Sequence, residues 1–364
     1  MRKNIIIFYP TFAGGGITKN LENILEYLKK KKLFVYLFSY QTKNLKKKKN
    51  LQIIDTQYKI INNNSSLLNI ISSSINLISF LSKNSNVNTI LSMQNHLPAI
   101  IIAKILRKKI IIRNSEEIFS ATKYADNFFS AYLVLFLKFF IYKFCDHFIA
   151  ISKKSKQSLR KLMIKNEKIT IIYNPFIKQI KKKIKKNYLY GKEFYILSAG
   201  RLTKQKNFLN LIKSIQVLQK KYPFINLNII GNGPDQEKLK NLSFGNKKIL
   251  IKKWNNDLEK YLKKSHLFIL NSLYEGLPNI LIESVNNSLP CLSTNCSGVK
   301  DILLNNKGGF IVPINNDILL KDKIEFIMKN YKIAVKKSIV AKKNIYKFTQ
   351  DNCKDYYKLL VKYI

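Results

Sequence analysis

Two carboxylates, Glu275 and Glu283, stand eight residues apart in the stretch Asn271-Ser272-Leu273-Tyr274-Glu275-Gly276-Leu277-Pro278-Asn279-Ile280-Leu281-Ile282-Glu283. The stretch leaves an apolar strand (Leu267 to Leu270), turns at Gly276 and Pro278, and enters a helix at Asn279. On that helix Asn279 and Glu283 are one turn apart and share a face. A strand-to-helix junction of this kind presents free backbone N–H groups and the positive end of a helix dipole. Its carboxylates are acceptors for hydroxyl donors, such as those of a ribose or a hexose. The competing reading of Glu283 is a plain surface charge, which the apolar Ile280-Leu281-Ile282 and Val285 around it weaken.

A second constellation is Gly200-Arg201-Leu202-Thr203-Lys204-Gln205-Lys206-Asn207, between a strand and a helix. Arg201 and Lys206 flank the turn, and a guanidinium fork with an ammonium converging on a helix mouth describes a diphosphate clamp. Two solvated cations are the alternative in so Lys-rich a chain. Arg201 argues against that, being one of five arginines (Arg2, Arg107, Arg113, Arg160, Arg201) and next to one of only 12 glycines. Gly14-Gly15-Gly16 after the first strand offers backbone N–H groups that can approach a phosphate or a sugar. It is not a GxGxxG turn, and no Walker A sequence occurs. Three histidines are present: His147 and His266 read as strand-entry residues, whereas His96, after a strand, points to a site.

Composition narrows the class. At 364 residues the chain is long enough for about two domains, and 46% hydrophobic residues are ordinary for a globular protein. The net charge of +44, from 65 Lys+Arg against 21 Asp+Glu, is not ordinary. A nucleic-acid surface would favour clustered Arg, but the basic residues are dispersed Lys, so compositional bias is favoured and no nucleic-acid partner is expected. Weak attraction to an anionic leaflet remains a consequence of such charge. Four cysteines without CxxC spacing read as reduced thiols of a cytoplasmic protein. The short Ile5-Ile6-Ile7-Phe8 run reads as a first strand, with no signal peptide. The longest apolar stretch, Phe128 to Ala150, is interrupted by Lys138, Lys143 and Asp146, so a buried helix is expected and a membrane-leaning face is the lesser reading.

These residues need a scaffold, and the chain alternates short β-branched strands with helices throughout. That pattern predicts an α/β protein of parallel sheets with right-handed crossovers. It runs over 1–175, pauses in a Lys-rich linker at 176–192, and restarts over 193–347. Two Rossmann-like, doubly wound domains facing a cleft are expected.

Glu275-x7-Glu283 with Gly276-Leu277-Pro278 resembles the E-x7-E signature of the family 4 retaining glycosyltransferases of the GT-B fold. Ser198-Ala199-Gly200-Arg201-Leu202 with Lys206-Asn207, Ile230-Gly231-Asn232-Gly233-Pro234, Ala150-Ile151-Ser152, Tyr173-Asn174-Pro175, Pro290 with Gly298, and Gly308-Gly309-Phe310 resemble that family's blocks, in its order. The resemblance implies that Arg201 and Lys206 bind the donor diphosphate and Glu283 the ribose hydroxyls. Glu275 and the backbone of Gly276, Leu277, Pro278 and Asn279 would contact the transferred sugar and phosphate. Gly15 and Gly16 would meet the donor from the N-terminal domain, and backbone near Gly231 and Trp254 would meet the base. A last helix at about 348–364 would return to the N-terminal domain. His96 and Arg113 are candidates for sugar or acceptor contact, because this chain has Arg113-Asn114-Ser115-Glu116 where the family often places a histidine. With no Asp-x-Asp present, no metal and no cofactor are expected. The donor would be a UDP- or GDP-sugar and the acceptor a lipopolysaccharide, capsule or O-antigen precursor. The enzyme would sit in the cytoplasm or peripherally on the inner face of the plasma membrane. A sucrose-, glycogen- or sugar-phosphate-type transferase is the alternative.

Overall fold

The computed structural model of the chain describes residues 3–11, 15–40, 50–55, 66–184, 186–254 and 258–364. Gly14, and parts of the region between Gln41 and Ser74 read as mostly loop, lie outside the described residues. The chain divides into two compact units, Met1–Lys178 with Phe348–Ile364, and Gln179–Lys347.

In the first unit, strands β1 (Asn4–Thr11), β2 (Phe34–Tyr40), β3 (Leu51–Asp55), β4 (Thr89–Ser92), β5 (Lys109–Asn114), β6 (His147–Ala150) and β7 (Ile169–Ile171) form one sheet. Its order is β3-β2-β1-β4-β5-β6-β7, and every pairing is parallel. A parallel sheet is covered on both faces, which is why Ile5, Ile6, Ile7 and Phe8 are all fully buried rather than alternating. The connections are α1 (Gly16–Lys30), α2 (Ser66–Lys83), α3 (His96–Ile105), α4 (Ile118–Lys123), α5 (Phe128–Ile141) and α6 (Lys153–Lys161). One core layer gathers Leu77, Leu81, Ile100 and Ala103 from α2 and α3 under the sheet. The other gathers Leu21, Ile24 and Leu28 from α1.

An expectation fails after β5. The segment is not a single helix but two, the second started by Asn127, whose Oδ1 accepts from Ser130 N at 3.0 Å. Nor is α5 buried: none of its 14 residues is. Its Leu135, Phe139 and Ile141 only rest against the core layer, because α3, on which α5 packs, already lies against β4 and β5.

The second unit has β8 (Phe194–Ala199), β9 (Ile225–Ile230), β10 (Ile249–Lys252), β11 (Leu267–Leu270), β12 (Cys291–Thr294) and β13 (Phe310–Val312). They pair in parallel in the order β10-β9-β8-β11-β12-β13. Around them lie α7 (Phe208–Lys221), α8 (Gln236–Leu242), α9 (Leu258–Lys264), α10 (Asn279–Asn286), α11 (Val299–Ile302), α12 (Asp317–Lys329) and α13 (Tyr331–Lys343).

The Lys-rich stretch read as a linker is largely docked on this second unit. Lys186 is 7% exposed, and its ammonium donates to the carbonyls of Leu262 (2.8 Å), Lys263 (2.5 Å) and Ser265 (2.9 Å). Those carbonyls end α9, where a helix has no partners of its own and carries negative dipole character. Burial alone draws the Lys186 pKa down to about 8.

The last helix, α14 (Cys353–Val361), belongs to the first unit and packs on α1. Its Tyr356 and Leu360 are fully buried in the α1 core layer. The departing and returning chains run side by side: Phe176 N and Ile177 N both donate to Phe348 O, at 3.0 and 2.9 Å, and Ile177 pairs with Thr349.

Candidate active site

The strand order of the second sheet reverses between β8 and β11. In open α/β sheets, ligands bind outside the carboxyl ends of the strands at such a reversal. The two loops at that place are 200–207, after β8, and 271–278, after β11, and they carry both constellations found in the sequence.

The loops are fastened to each other. Leu273 N donates to Gln205 O at 2.8 Å, Gln205 Nε2 donates to Tyr274 O at 2.9 Å, and Asn271 Nδ2 donates to Asn207 O at 3.1 Å. The turn after β9 packs against the first loop, with Leu202 N on Asn232 O (2.9 Å) and Asp235 N on Leu202 O (3.0 Å). Glycine is obligatory here for space: a Cβ on Gly231 would lie 1.9 Å from Gly200 O. Gly200 itself has φ +154°, and the Lys206 stem passes 3.0 Å from where its Cβ would be. Asn232 Oδ1 accepts from Trp254 N at 3.1 Å, joining this turn to the end of β10.

Within the cradle, Lys206 Nζ meets Glu275 Oε1 at 2.5 Å, with the two side chains only 13% and 10% exposed. Ser272 Oγ donates to the same carboxylate oxygen at 2.8 Å. Ser272 is held from the next strand, its carbonyl accepting from Thr294 Oγ1 (2.6 Å) and Cys296 Sγ (2.9 Å). Gly276, Leu277 and Pro278 are buried, and α10 starts at Asn279. Glu283, one turn on, is half-buried, and its carboxylate has no hydrogen bond or ion pair among the described residues. Arg201 is exposed, and its guanidinium likewise has no partner among them. The site therefore joins one preformed ion pair, one uncommitted cation and one uncommitted carboxylate.

Sequence reasoning named Arg201, Lys206, Glu275 and Glu283, but not the residues that hold them. Ser272, three residues before Glu275, left a signal in its spacing: a hydroxyl and a carboxylate in one short turn commonly share a bond. Gln205, Asn271, Thr294 and Cys296 left none that separates them from other polar residues.

In the first unit, Gly15 caps α1 and Gly16 opens it, both exposed. His96 opens α3 after β4, beside the reversal of that sheet, and its Nδ1 lies 2.8 Å from Ser92 Oγ. Burial, with Lys138 and Arg113 nearby, holds its pKa down to about 3, so the ring is neutral. Arg113 corrects an expectation. It is 1% exposed and turned inward, donating to Tyr356 OH (2.8 Å), Asn174 Oδ1 (2.5 Å) and Ser115 Oγ. A guanidinium with five donors suits the joining of three segments, and here it fastens α14 to β5. His147 bonds Thr170 Oγ1 at 2.9 Å, and His266 Nδ1 accepts from Tyr195 N at 3.0 Å within a cluster of aromatic rings. Both are structural.

Two Rossmann-like units, with this cradle at the switch point of the second, define the two-domain GT-B class of glycosyltransferases. Residues 14–177 match the family described as Glycosyltransferase Family 4, and residues 179–347 match Glycosyl transferases group 1. The chain belongs to this glycosyltransferase family. It is 33% identical over 220 residues to an uncharacterized glycosyltransferase of Haemophilus influenzae, covering 59% of this chain and 61% of that protein. It is 28% identical over 198 residues to the UDP-Gal:alpha-D-GlcNAc-diphosphoundecaprenol alpha-1,3-galactosyltransferase of Escherichia coli, covering 50% of each. The chain thus spans about half to three fifths of the length of these curated relatives. Its fold is that of the lipopolysaccharide outer core galactosyltransferase WaaB in its apo form, with TM-score 0.72 at 18% identity and 99% of each chain covered.

Proposed function

We propose that the protein is a retaining, metal-independent hexosyltransferase that moves a sugar from a nucleoside-diphosphate donor to a lipid-linked cell-surface glycan precursor. The observation that carries this reading is the cradle itself: Lys206 and Arg201 at one switch-point loop, Glu275 and Glu283 at the other, with the loops fastened together. The relative that acts on a diphosphoundecaprenol-linked sugar supports the acceptor class.

In this reading the acceptor oxygen bonds to the anomeric carbon as the bond to the donor's β-phosphate oxygen breaks. The acceptor proton passes to the departing phosphate, so no protein base is required. Arg201 and Lys206 offset the charge growing on the leaving diphosphate, the part a metal plays in other transferases. Glu283 accepts from the ribose hydroxyls, and Glu275 with the 276–279 backbone holds the sugar. Gly15, Gly16 and His96 are the candidate residues carried by the first unit. A neutral imidazole there serves as a hydrogen-bond partner and not as a cation. A lipid-linked acceptor implies work at the inner face of the plasma membrane.

A thermal-shift panel of UDP-, GDP- and ADP-sugars tests this, run on the wild type and on Arg201→Ala. A rise in melting temperature with one nucleotide, absent from the variant, is expected. Stabilisation by no member of the panel would refute the donor reading.

A further inference from the structure

Helix α5 has the sequence of a core helix and the environment of a surface one. Phe129, Leu133, Phe136 and Phe140 are spaced by four, three and four residues, so they form one stripe. They are 82%, 51%, 59% and 48% exposed. The stripe continues past the helix end to Phe144, 63% exposed. It has apolar neighbours: α3, on which α5 packs, presents Ile101 and Ile105, and α2, which packs on α3, presents Ile71, Ile75 and Ile78. Scattered exposed apolar residues need no explanation, but an aromatic stripe on α5 with exposed isoleucines on the helices packed beside it does.

Charge identifies the occupant. The carboxyl ends of these helices lead into β4, β5 and β6, and each carries an exposed cation there: Lys83 at the end of α2, Arg107 after α3 and Lys143 after α5. Lys143 holds its ammonium over the Phe139 and Phe140 rings, at 4.7 and 5.5 Å from their centres. An ammonium laid along apolar rings is how lysine sits at a lipid–water boundary. A second copy of this chain would bring another +44 against the first, whereas an anionic bilayer is complementary. The face is not a span, since no helix among the described residues is long and apolar enough to cross a membrane.

We propose that the outer face of α2, α3 and α5 lies in the headgroup region of an anionic membrane, the α5 aromatics inserted and the basic helix ends on the phosphates. Apolar insertion and attraction to anionic headgroups together are the means by which surface-lying helices bind bilayers. This deepens the membrane placement proposed above. Its test does not pass through transfer activity or donor binding, so either reading can fail alone.

The test is flotation of the full chain with vesicles of phosphatidylcholine alone, or with about one third phosphatidylglycerol. The wild type is expected to float with the anionic vesicles, less so as salt is raised. The triple variant Phe129→Ser, Phe136→Ser, Phe140→Ser is expected to partition at least about tenfold less, with an unchanged melting midpoint. Phe129→Glu, at the most exposed position, stands in if the triple variant misfolds, and is expected to lose binding in the same direction. A wild type that stays unbound would overturn the proposal. So would variants that float like the wild type, since diffuse lysine charge would then suffice. A wild-type dimer by light scattering that the substitutions turn into a monomer would assign the face to a second copy and overturn it too.

Discussion

Glu275→Gln is the perturbation that separates the two duties of the Lys206–Glu275 pair. The amide keeps the shape of the carboxylate and can still accept from Lys206 and Ser272, so only the charge is removed. At 2.5 Å and an effective dielectric of about 20, two unit charges attract by about 7 kcal/mol. Removing two groups about nine-tenths covered from water offsets most of that attraction. What remains, against a neutral amide that still bonds, is about 2 kcal/mol of apo stability lost. Donor binding should behave differently. A diphosphate brings its own charge to Lys206, and in the wild type it must compete with Glu275 for that ammonium. Nucleotide affinity in the variant is therefore expected within about threefold of wild type, with a larger ligand-induced rise in melting temperature. Turnover is expected to fall at least about a hundredfold, which is about 2.7 kcal/mol of transition-state stabilisation. A denaturant melt, calorimetry of nucleotide binding and steady-state kinetics on one preparation supply all three quantities. Equal losses in affinity and turnover would make Glu275 a plain binding residue. Unchanged apo stability would show that the ion pair is worth nothing net.

Two further outcomes follow from the same unit. Gly231→Ala places a methyl 1.9 Å from Gly200 O, so it is expected to cost at least about 3 kcal/mol and to abolish nucleotide-dependent stabilisation. A variant that melts and binds like wild type would show that the turn relaxes freely. His266 governs a pH response: burial lowers its folded pKa from 6.5 to about 4, with Lys186 as a lesser cause. The unfolded chain takes up the proton first, so the stability carried by the neutral ring is complete above pH 6.5 and is lost as pH falls towards 4. Between pH 7 and 5 this amounts to about 1 kcal/mol once solvent screening of the partly exposed ring is allowed for, and denaturant melts of His266→Gln should show a pH dependence smaller by that amount. An unchanged dependence would place the response in other groups.

The fold was legible because a parallel strand buried on both faces is written as a short apolar run, and Ile5 to Phe8 or Leu267 to Leu270 can hardly be anything else. What a helix packs against is not written locally. Helix α5 is as apolar as a core helix, yet α3 takes the place against the sheet, and only the tertiary arrangement says so. Scarcity drew attention to Arg201, which is exposed at the switch-point loop, and position relative to the family drew attention to Arg113, which is turned inward, because a guanidinium is as valuable for joining buried segments as for holding phosphate. Lys186 failed the other way: among so many lysines, nothing marks the one whose ammonium closes the end of α9. The pairing of Lys206 with Glu275 was equally hidden. The two residues are 69 positions apart and were read as members of separate motifs, whereas the neighbouring strands β8 and β11 put them within one hydrogen bond.

The side-by-side crossing of the chain at Phe176–Ile177 and Phe348–Thr349 bears on how the protein is made. The second unit is one continuous segment and can close as soon as Lys347 has been synthesised. The first cannot, although its sheet emerges earlier: the apolar side of α1 and the Nε of Arg113 wait for Tyr356 and its neighbours, in the last stretch of the chain. Synthesis from the N-terminus usually completes domains in order. Here the earlier unit is completed by a segment that follows the whole of the later unit in sequence.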